Sequence, residues 1–322
     1  MQFRRLGDAG MKVSSIALGG WINYGEGKVE QDAAKQVVIR AYEAGINYFD
    51  LADAYGRGEA EKQMGAVLQQ FPRHTLVIAT KLFWPMSDDV NDRGLSRKHI
   101  MESIDGSLKR LGTDYIDIYF CHRPDPETPI YETARAMDDL IHQGKILYWG
   151  TSVWSGEQIQ EALNICARHN LYPPKVEQPQ YSMLHREKVE QEILPITEKN
   201  GMGLVVFSPL AQGMLTGKYD DGVPDDSRFA REGWAKERFM NAENAEKVKA
   251  LKLIADQLGG TRSQLALAWV LRQSGVSSAI IGATKAAQVD DNVKAADLKL
   301  DDGVLQQIEG ILGNTTAHKT TA

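Results

Sequence analysis

Four residues with reactive side chains follow short apolar runs. Asp50 closes Asn47-Tyr48-Phe49, Tyr55 stands five residues on, Lys81 follows the run 76–80, and His122 follows the run 116–120. An acid, a phenol, an ammonium and an imidazole at one mouth suit proton transfer to a carbonyl oxygen. A free phenol titrates at about 10 and is a poor acid at neutral pH. A neighbouring Lys81 favours the phenolate and is expected to lower that value. Asp50 would pair with Lys81 and hold it charged, and His122 would donate to the same oxygen or orient the substrate. Singly, each residue has a plain reading: Asp50 as a helix cap or surface charge, Tyr55 as packing, Lys81 as a surface charge, His122 as a loop residue. The weight rests on the four together. Metal chemistry is disfavoured, because the seven histidines show no His-Glu-x-x-His spacing. Cys121 and His122 are adjacent in sequence, and neighbouring residues of a strand face opposite ways.

The elements that would position these groups alternate. Strand-like runs at 15–19, 47–50, 76–80, 116–120, 146–150, 174–177, 203–207 and 279–282 are mostly continuous and apolar, as in parallel strands buried on both faces. Helical periods lie at 31–44, 59–70, 96–111, 130–143, 155–170, 187–200, 263–273 and 285–296, several ending at glycine. Ala34, Val37, Val38 and Ala41 share one face of the first. Eight such units predict an α/β fold, a closed (β/α)8 TIM barrel spanning 1–322 as one domain, with its active site at the C-terminal strand ends. The competing doubly wound sheet lacks its Gly-x-Gly-x-x-Gly turn. Residues 3–13 read as a hairpin closing the barrel floor, 208–243 as a lid or binding loop, 301–312 as a terminal helix, and 314–322 as a frayed polar tail.

Composition narrows the partners. Lys plus Arg is 37 against 43 Asp plus Glu, a net charge of −6, which disfavours nucleic acid and anionic membrane. No apolar run reaches the roughly 18 residues of a membrane span, and the first residues lack the apolar stretch of a secretory signal. Two cysteines make no disulfide framework, which fits a reducing cytoplasm.

The run Phe49-Asp50-Leu51-Ala52-Asp53-Ala54-Tyr55-Gly56, with Lys81 and His122 after successive strands, resembles the Asp-Tyr-Lys-His tetrad of the aldo-keto reductases. Gly150-Thr151-Ser152, Glu177-Gln178-Pro179-Gln180-Tyr181 and Ser208-Pro209-Leu210-Ala211-Gln212-Gly213 fit that family's order, so the resemblance covers nearly the whole chain. Gly94 to Ile100, Arg123-Pro124-Asp125-Pro126, Tyr148 to Ser152 and Arg186 to Glu190 resemble its branch of voltage-gated potassium channel β-subunits. Two departures stand out: those subunits often carry Asn where this chain has His122, and Arg where it has Val153.

The resemblance implies an NADPH-dependent reductase of aldehydes and ketones, with Tyr55 as general acid. The alternative is an NADPH-binding regulatory subunit, tetrameric and docked on a channel, with slow residual turnover. Ser152 and Gln178 would hold the nicotinamide carboxamide, and Phe207 would stack on its ring. The family's cofactor contacts further imply Trp21, Asp50, Ser208, Pro209, Leu210, Gln212 and Gly213. Gly282, Thr284, Gln288, Asp291 and Asn292 would face the adenosine end, where small residues before a helix leave N–H groups for an anion. The basic pair usual after the eighth strand is missing, since Gly282 and Gln288 stand there. The phosphates would then fall to the loop, Lys218 for the pyrophosphate and Arg228 for the 2′-phosphate. Trp21, Tyr55, Trp84 and His122 would line the substrate pocket.

Overall fold

The structure is a computed structural model that describes residues 1–21 and 31–313. The tail at 314–322 and the segment after Trp21 lie outside the described residues. A hairpin of β1 (Phe3–Arg5) and β2 (Lys12–Ser14) precedes eight parallel strands closed into a barrel. These are β3 (Ile16–Gly19), β4 (Tyr48–Asp50), β5 (Val77–Leu82), β6 (Ile116–Cys121), β7 (Ile146–Ser152), β8 (Val176–Gln178), β9 (Gly203–Val206) and β10 (Val276–Ile281). Strand β10 pairs with both β9 and β3, which completes the ring. The anticipated eight-stranded barrel is the fold.

The barrel interior is filled by Ala17, Tyr48, Val77, Ala79, Ile118, Phe120, Val176, Val205 and Ile280. Leu6 and Val13 of the hairpin plug it from below, as the floor reading required. Gly7 lets the hairpin turn pass over the 201–203 backbone. It adopts φ +59°, and a Cβ there would lie 2.2 Å from the Gly201 carbonyl oxygen.

The outer layer is α1 (Gln31–Glu43), α2 (Glu59–Leu68), α3 (Arg97–Leu111), α4 (Ile130–His142), α5 (Gly156–His169), α6 (Leu194–Lys199), α7 (Arg228–Arg231), α8 (Gly233–Phe239), α9 (Ala242–Gln257), α10 (Arg262–Leu271), α11 (Ala286–Asn292) and α12 (Asp302–Leu312). Local chemistry explains the starts. Ser96 caps α3, Ser155 and Gln158 form a reciprocal capping box on α5, and Asp301 caps α12.

Four expectations change in detail. The helix expected over 187–200 divides into a π-helical turn at Val189–Ile193 and the short α6, because Pro195 in its first turn has no N–H for the regular ladder. Helix α10 opens one residue earlier, capped by Thr261. Strand β10 begins at Val276, where Ser277, Ser278 and a register shift hide its start. Helix α9 has no counterpart in the sequence reading. It buries Val248, Leu251, Ile254 and Ala255 within a Lys- and Glu-rich run that also exposes Leu253.

Candidate active site

Asp50 ends β4 and Lys81 lies one residue before the end of β5, so the parallel pairing of these strands sets both side chains at the same end of the barrel. The ammonium of Lys81 donates to Asp50 Oδ2 at 2.6 Å, to the Leu51 carbonyl at 2.6 Å and to the Tyr55 hydroxyl at 3.3 Å. Both ends of the Lys81–Asp50 pair are buried. Asp50 Oδ1 accepts from Gln178 Nε2 at 2.9 Å, and Ser152 Oγ donates to the Gln178 carbonyl at 2.9 Å. One hydrogen-bonded chain thus runs from β7 through β8 and β4 to β5.

The Tyr55 and His122 rings meet edge to face at 5.7 Å, and Trp84 packs on His122 at 6.3 Å. His122 is buried, and its Nδ1 finds no partner among the described residues. Burial, with Lys81 and Arg123 beside it, holds the imidazole well below its ordinary pKa, so it is neutral at pH 7 and can donate one N–H. The Tyr55 phenol behaves otherwise than the sequence suggested. Burial raises its pKa and Asp50 adds to the rise, while Lys81 and Arg123 pull it down without reversing it. The phenol therefore keeps its proton. Burial works against the charge on Lys81, but Asp50 and Tyr55 hold its pKa above the ordinary lysine value.

A cavity of about 1650 Å³ opens over this cluster. Of the residues expected to react or bind, all but Lys81 line it: Trp21, Tyr55, Trp84 and His122 with Asp50, Ser152 and Gln178 at one end, then Phe207 and the 208–213 turn, then Gly282, Thr284, Gln288, Asp291 and Asn292. Lys81 lies just beneath, fully buried. Ser208, Ala211, Gln212 and Gly213 all take positive φ, so the turn leaving β9 is held in an unusual backbone conformation.

The long loop covers the mouth. Trp234 of α8 packs on Trp21 at 5.8 Å, and the Arg228 guanidinium lies 6.0 Å from the Trp21 ring. Arg228 donates to Gln212 Oε1, and Gln212 donates to Ser208 Oγ, both at 2.5 Å. Desolvation, and then Arg228 and Arg231 nearby, lower the Lys218 pKa, as expected where positive charges crowd. The loop is anchored by Arg262, which pairs with Asp220 at 2.6 Å. Gly217 admits that guanidinium, since a Cβ there would lie 1.7 Å from Arg262 Nη2.

The adenosine-end expectation needs a correction. The N–H groups of Thr284 and Lys285 are not free, because both donate to Gln288 Oε1, at 2.7 and 3.2 Å. Asp291 is also engaged, accepting from Gln264 Nε2 at 2.6 Å and Thr261 Oγ1 at 3.0 Å, which ties α11 to α10. Sequence reasoning missed Arg123, Arg231 and Lys285, cations on the cavity wall. The Arg directly after His122 was the available signal for the first. Among the described residues no group of His, Cys, Asp and Glu could hold a metal ion, and no helix is long and apolar enough to cross a membrane.

Comparison with known proteins agrees with this geometry. Residues 15–312 match the aldo/keto reductase family. The chain is 46% identical over 319 residues, 97% of each chain, to a probable voltage-gated potassium channel subunit beta of Arabidopsis thaliana. It is 44% identical over the same share to a protein of the same description from Oryza sativa subsp. japonica. With the barrel closed, the four side chains gathered at one end and the match running over nearly its whole length, the chain belongs to the aldo/keto reductase family.

Proposed function

We propose that this protein is an NADPH-dependent reductase of aldehydes and ketones, acting as one barrel domain in the cytoplasm. Family membership supports nicotinamide-dependent oxidoreduction. The observation that carries the finer reading is the contact of a buried, charged Lys81 with the Tyr55 hydroxyl beneath an open cavity. Because Lys81 donates to the phenol oxygen, the Tyr55 O–H is left to point at a carbonyl oxygen. Tyr55 then gives its proton as negative charge develops there, and Lys81 stabilises the phenolate that remains. Asp50 keeps Lys81 charged and in register. Neutral His122 supplies a second N–H to the same oxygen.

NADPH, when bound, supplies the hydride. The residues present fit it: the cavity of about 1650 Å³ runs from polar groups at the strand ends to crowded cations on the loop. Ser152 and Gln178 would orient the carboxamide, Phe207 would cover the ring, and Lys218 and Arg228 would meet the phosphates. The test is a panel of aldehydes and ketones followed by NADPH absorbance, with NADH in parallel and Tyr55→Phe as control. Removing the general acid should lower kcat by roughly 10²–10⁴-fold while NADPH still binds. Turnover by Tyr55→Phe at the wild-type rate would remove Tyr55 from the acid role.

Similarity over nearly the full length to proteins named as channel β-subunits supports a second reading, a regulatory subunit that forms a tetramer and docks on a potassium channel. His122 favours turnover over a purely regulatory role. Sedimentation of the purified protein, and co-purification with a channel's cytoplasmic domain, test the assembly.

A further inference from the structure

Arg123 directly follows His122 and lines the reactive end of the cavity, half-buried. Its guanidinium lies 5.6 Å from the centre of the Trp84 ring, a stacking distance for a cation on an aromatic face. One N–H returns to the His122 carbonyl, and no carboxylate lies within ion-pair distance of it among the described residues. The acids around it are committed elsewhere. Asp125 accepts from the Leu95 and Glu127 N–H groups and from Thr128 Oγ1. Glu177 is buried behind Thr151 Oγ1 and the Val153 N–H, and Asp50 is held by Lys81 and Gln178.

A half-buried cation without an ion-pair partner costs stability unless something else meets it, and here the buried Glu177 carboxyl acts from beyond ion-pair distance. Burial accordingly pulls the Arg123 pKa below the ordinary arginine value. Three observations limit what could meet this group. It stands on the Trp84 side of the mouth, next to Tyr55 and His122. The loop cations Lys218, Arg228 and Arg231 form a separate group. The guanidinium, with the Trp84 ring beside it, offers a planar fork that matches a carboxylate in two-point contact.

We propose that Arg123 is a specificity-determining residue that selects carbonyl substrates bearing a carboxylate, with Trp84 packing on the planar or apolar body between the acid and the carbonyl. This rests on the reductase reading above and names the substrate class of the same site. The acid would bind at Arg123 while the carbonyl oxygen lies under Tyr55 and His122. Substrate orientation would then come from a charge-assisted contact remote from the reacting atoms.

The test compares 4-carboxybenzaldehyde with its neutral methyl ester, both with NADPH, in wild type, Arg123→Gln and Arg123→Met. Wild type should favour the acid by about tenfold or more in kcat/KM, mostly through KM, and added salt should shrink the gap. Both variants should lose that preference, acid and ester falling to a common kcat/KM, and continued reduction of the ester reports that they fold and bind cofactor. Equal use of acid and ester by wild type, or an unchanged preference in both variants, overturns the assignment and leaves the reductase reading standing. Reduction of neither compound by wild type, nor of any aldehyde or ketone in the panel, overturns the reductase reading and this inference with it.

Discussion

Lys81 Nζ and Asp50 Oδ2 stand 2.6 Å apart in a buried pair, and that ammonium is also the one that touches the Tyr55 hydroxyl. Stability and acid strength therefore depend on the same bond. Lys81→Met should leave Asp50 buried without its charge partner, and breaking a buried pair from one side costs about 3–5 kcal/mol. The loss should appear as a lower urea midpoint. Activity at neutral pH should fall as well, because the larger of the two cations that offset the burial of Tyr55 is then gone and Arg123 is left to do so. The double variant Asp50→Asn/Lys81→Met removes both charges and should regain part of the stability but none of the activity. A single variant as stable as wild type would mean that the pair is not the anchor.

The barrel, and the gathering of its candidate site residues at one rim, could be read from the sequence for one reason. Strands buried on both faces leave uninterrupted apolar runs, and the residue ending each run is forced toward the same rim. Asp50, Lys81 and His122 were found that way, with Tyr55 by its distance from Asp50. Relations that pass between distant segments were not legible. That Gln288 turns back on Thr284 and Lys285, or that Asp291 is spent on Gln264 and Thr261, depends on how α10 and α11 pack. Helix α9 was hidden because its buried side is narrow and its flanks are charged. The direction of the Tyr55 pKa was misjudged because charge neighbours can be inferred from order along the chain, whereas the depth of burial cannot.

Asp53 lies just behind the reactive set, on the same loop. Its N–H donates to the Lys81 carbonyl at 3.0 Å, Ser103 Oγ donates to its Oδ2 at 3.0 Å, and Oδ1 is buried with no partner among the described residues. Burial, and then the Glu61 carboxylate, raise its pKa to about 7. In the unfolded chain an Asp titrates at about 4. A carboxyl whose folded pKa is the higher one contributes stability that is full below the unfolded value and lost as pH rises through the folded one. Wild type should therefore lose stability from this group between about pH 4 and 7. Asp53→Asn, which cannot ionise, should be close to wild type at about pH 4 and more stable than it at pH 8, by urea midpoints. An equal loss at both pH values would show that the carboxyl is ionised throughout and needed as an anion.

The cofactor choice should rest on Arg228. A 2′-phosphate needs cationic donors in a partly dry site, and hydrogen bonds to charged groups contribute about 1.5–3 kcal/mol each. The usual place after the last barrel strand offers Gly282 and Gln288, and Gln288 is already turned to its own helix start. Arg228 faces the cavity from α7, steadied by Gln212 and the Trp21 ring, with Lys218 and Arg231 close by. Arg228→Ala should weaken NADPH binding by about tenfold or more, near 1.4 kcal/mol, and leave NADH almost unchanged. Lys218→Ala, which would touch the shared pyrophosphate, should weaken both. Dissociation constants from cofactor fluorescence titration, taken at one fixed ionic strength, check both claims. The loop carries both Arg228 and the Trp234 that packs on Trp21, so release of a cofactor bound beneath it would require it to lift, and Trp234→Ala should speed release. If Arg228→Ala weakened both cofactors equally, or neither, the 2′-phosphate would belong elsewhere on the rim, with Lys285 the next cation to change.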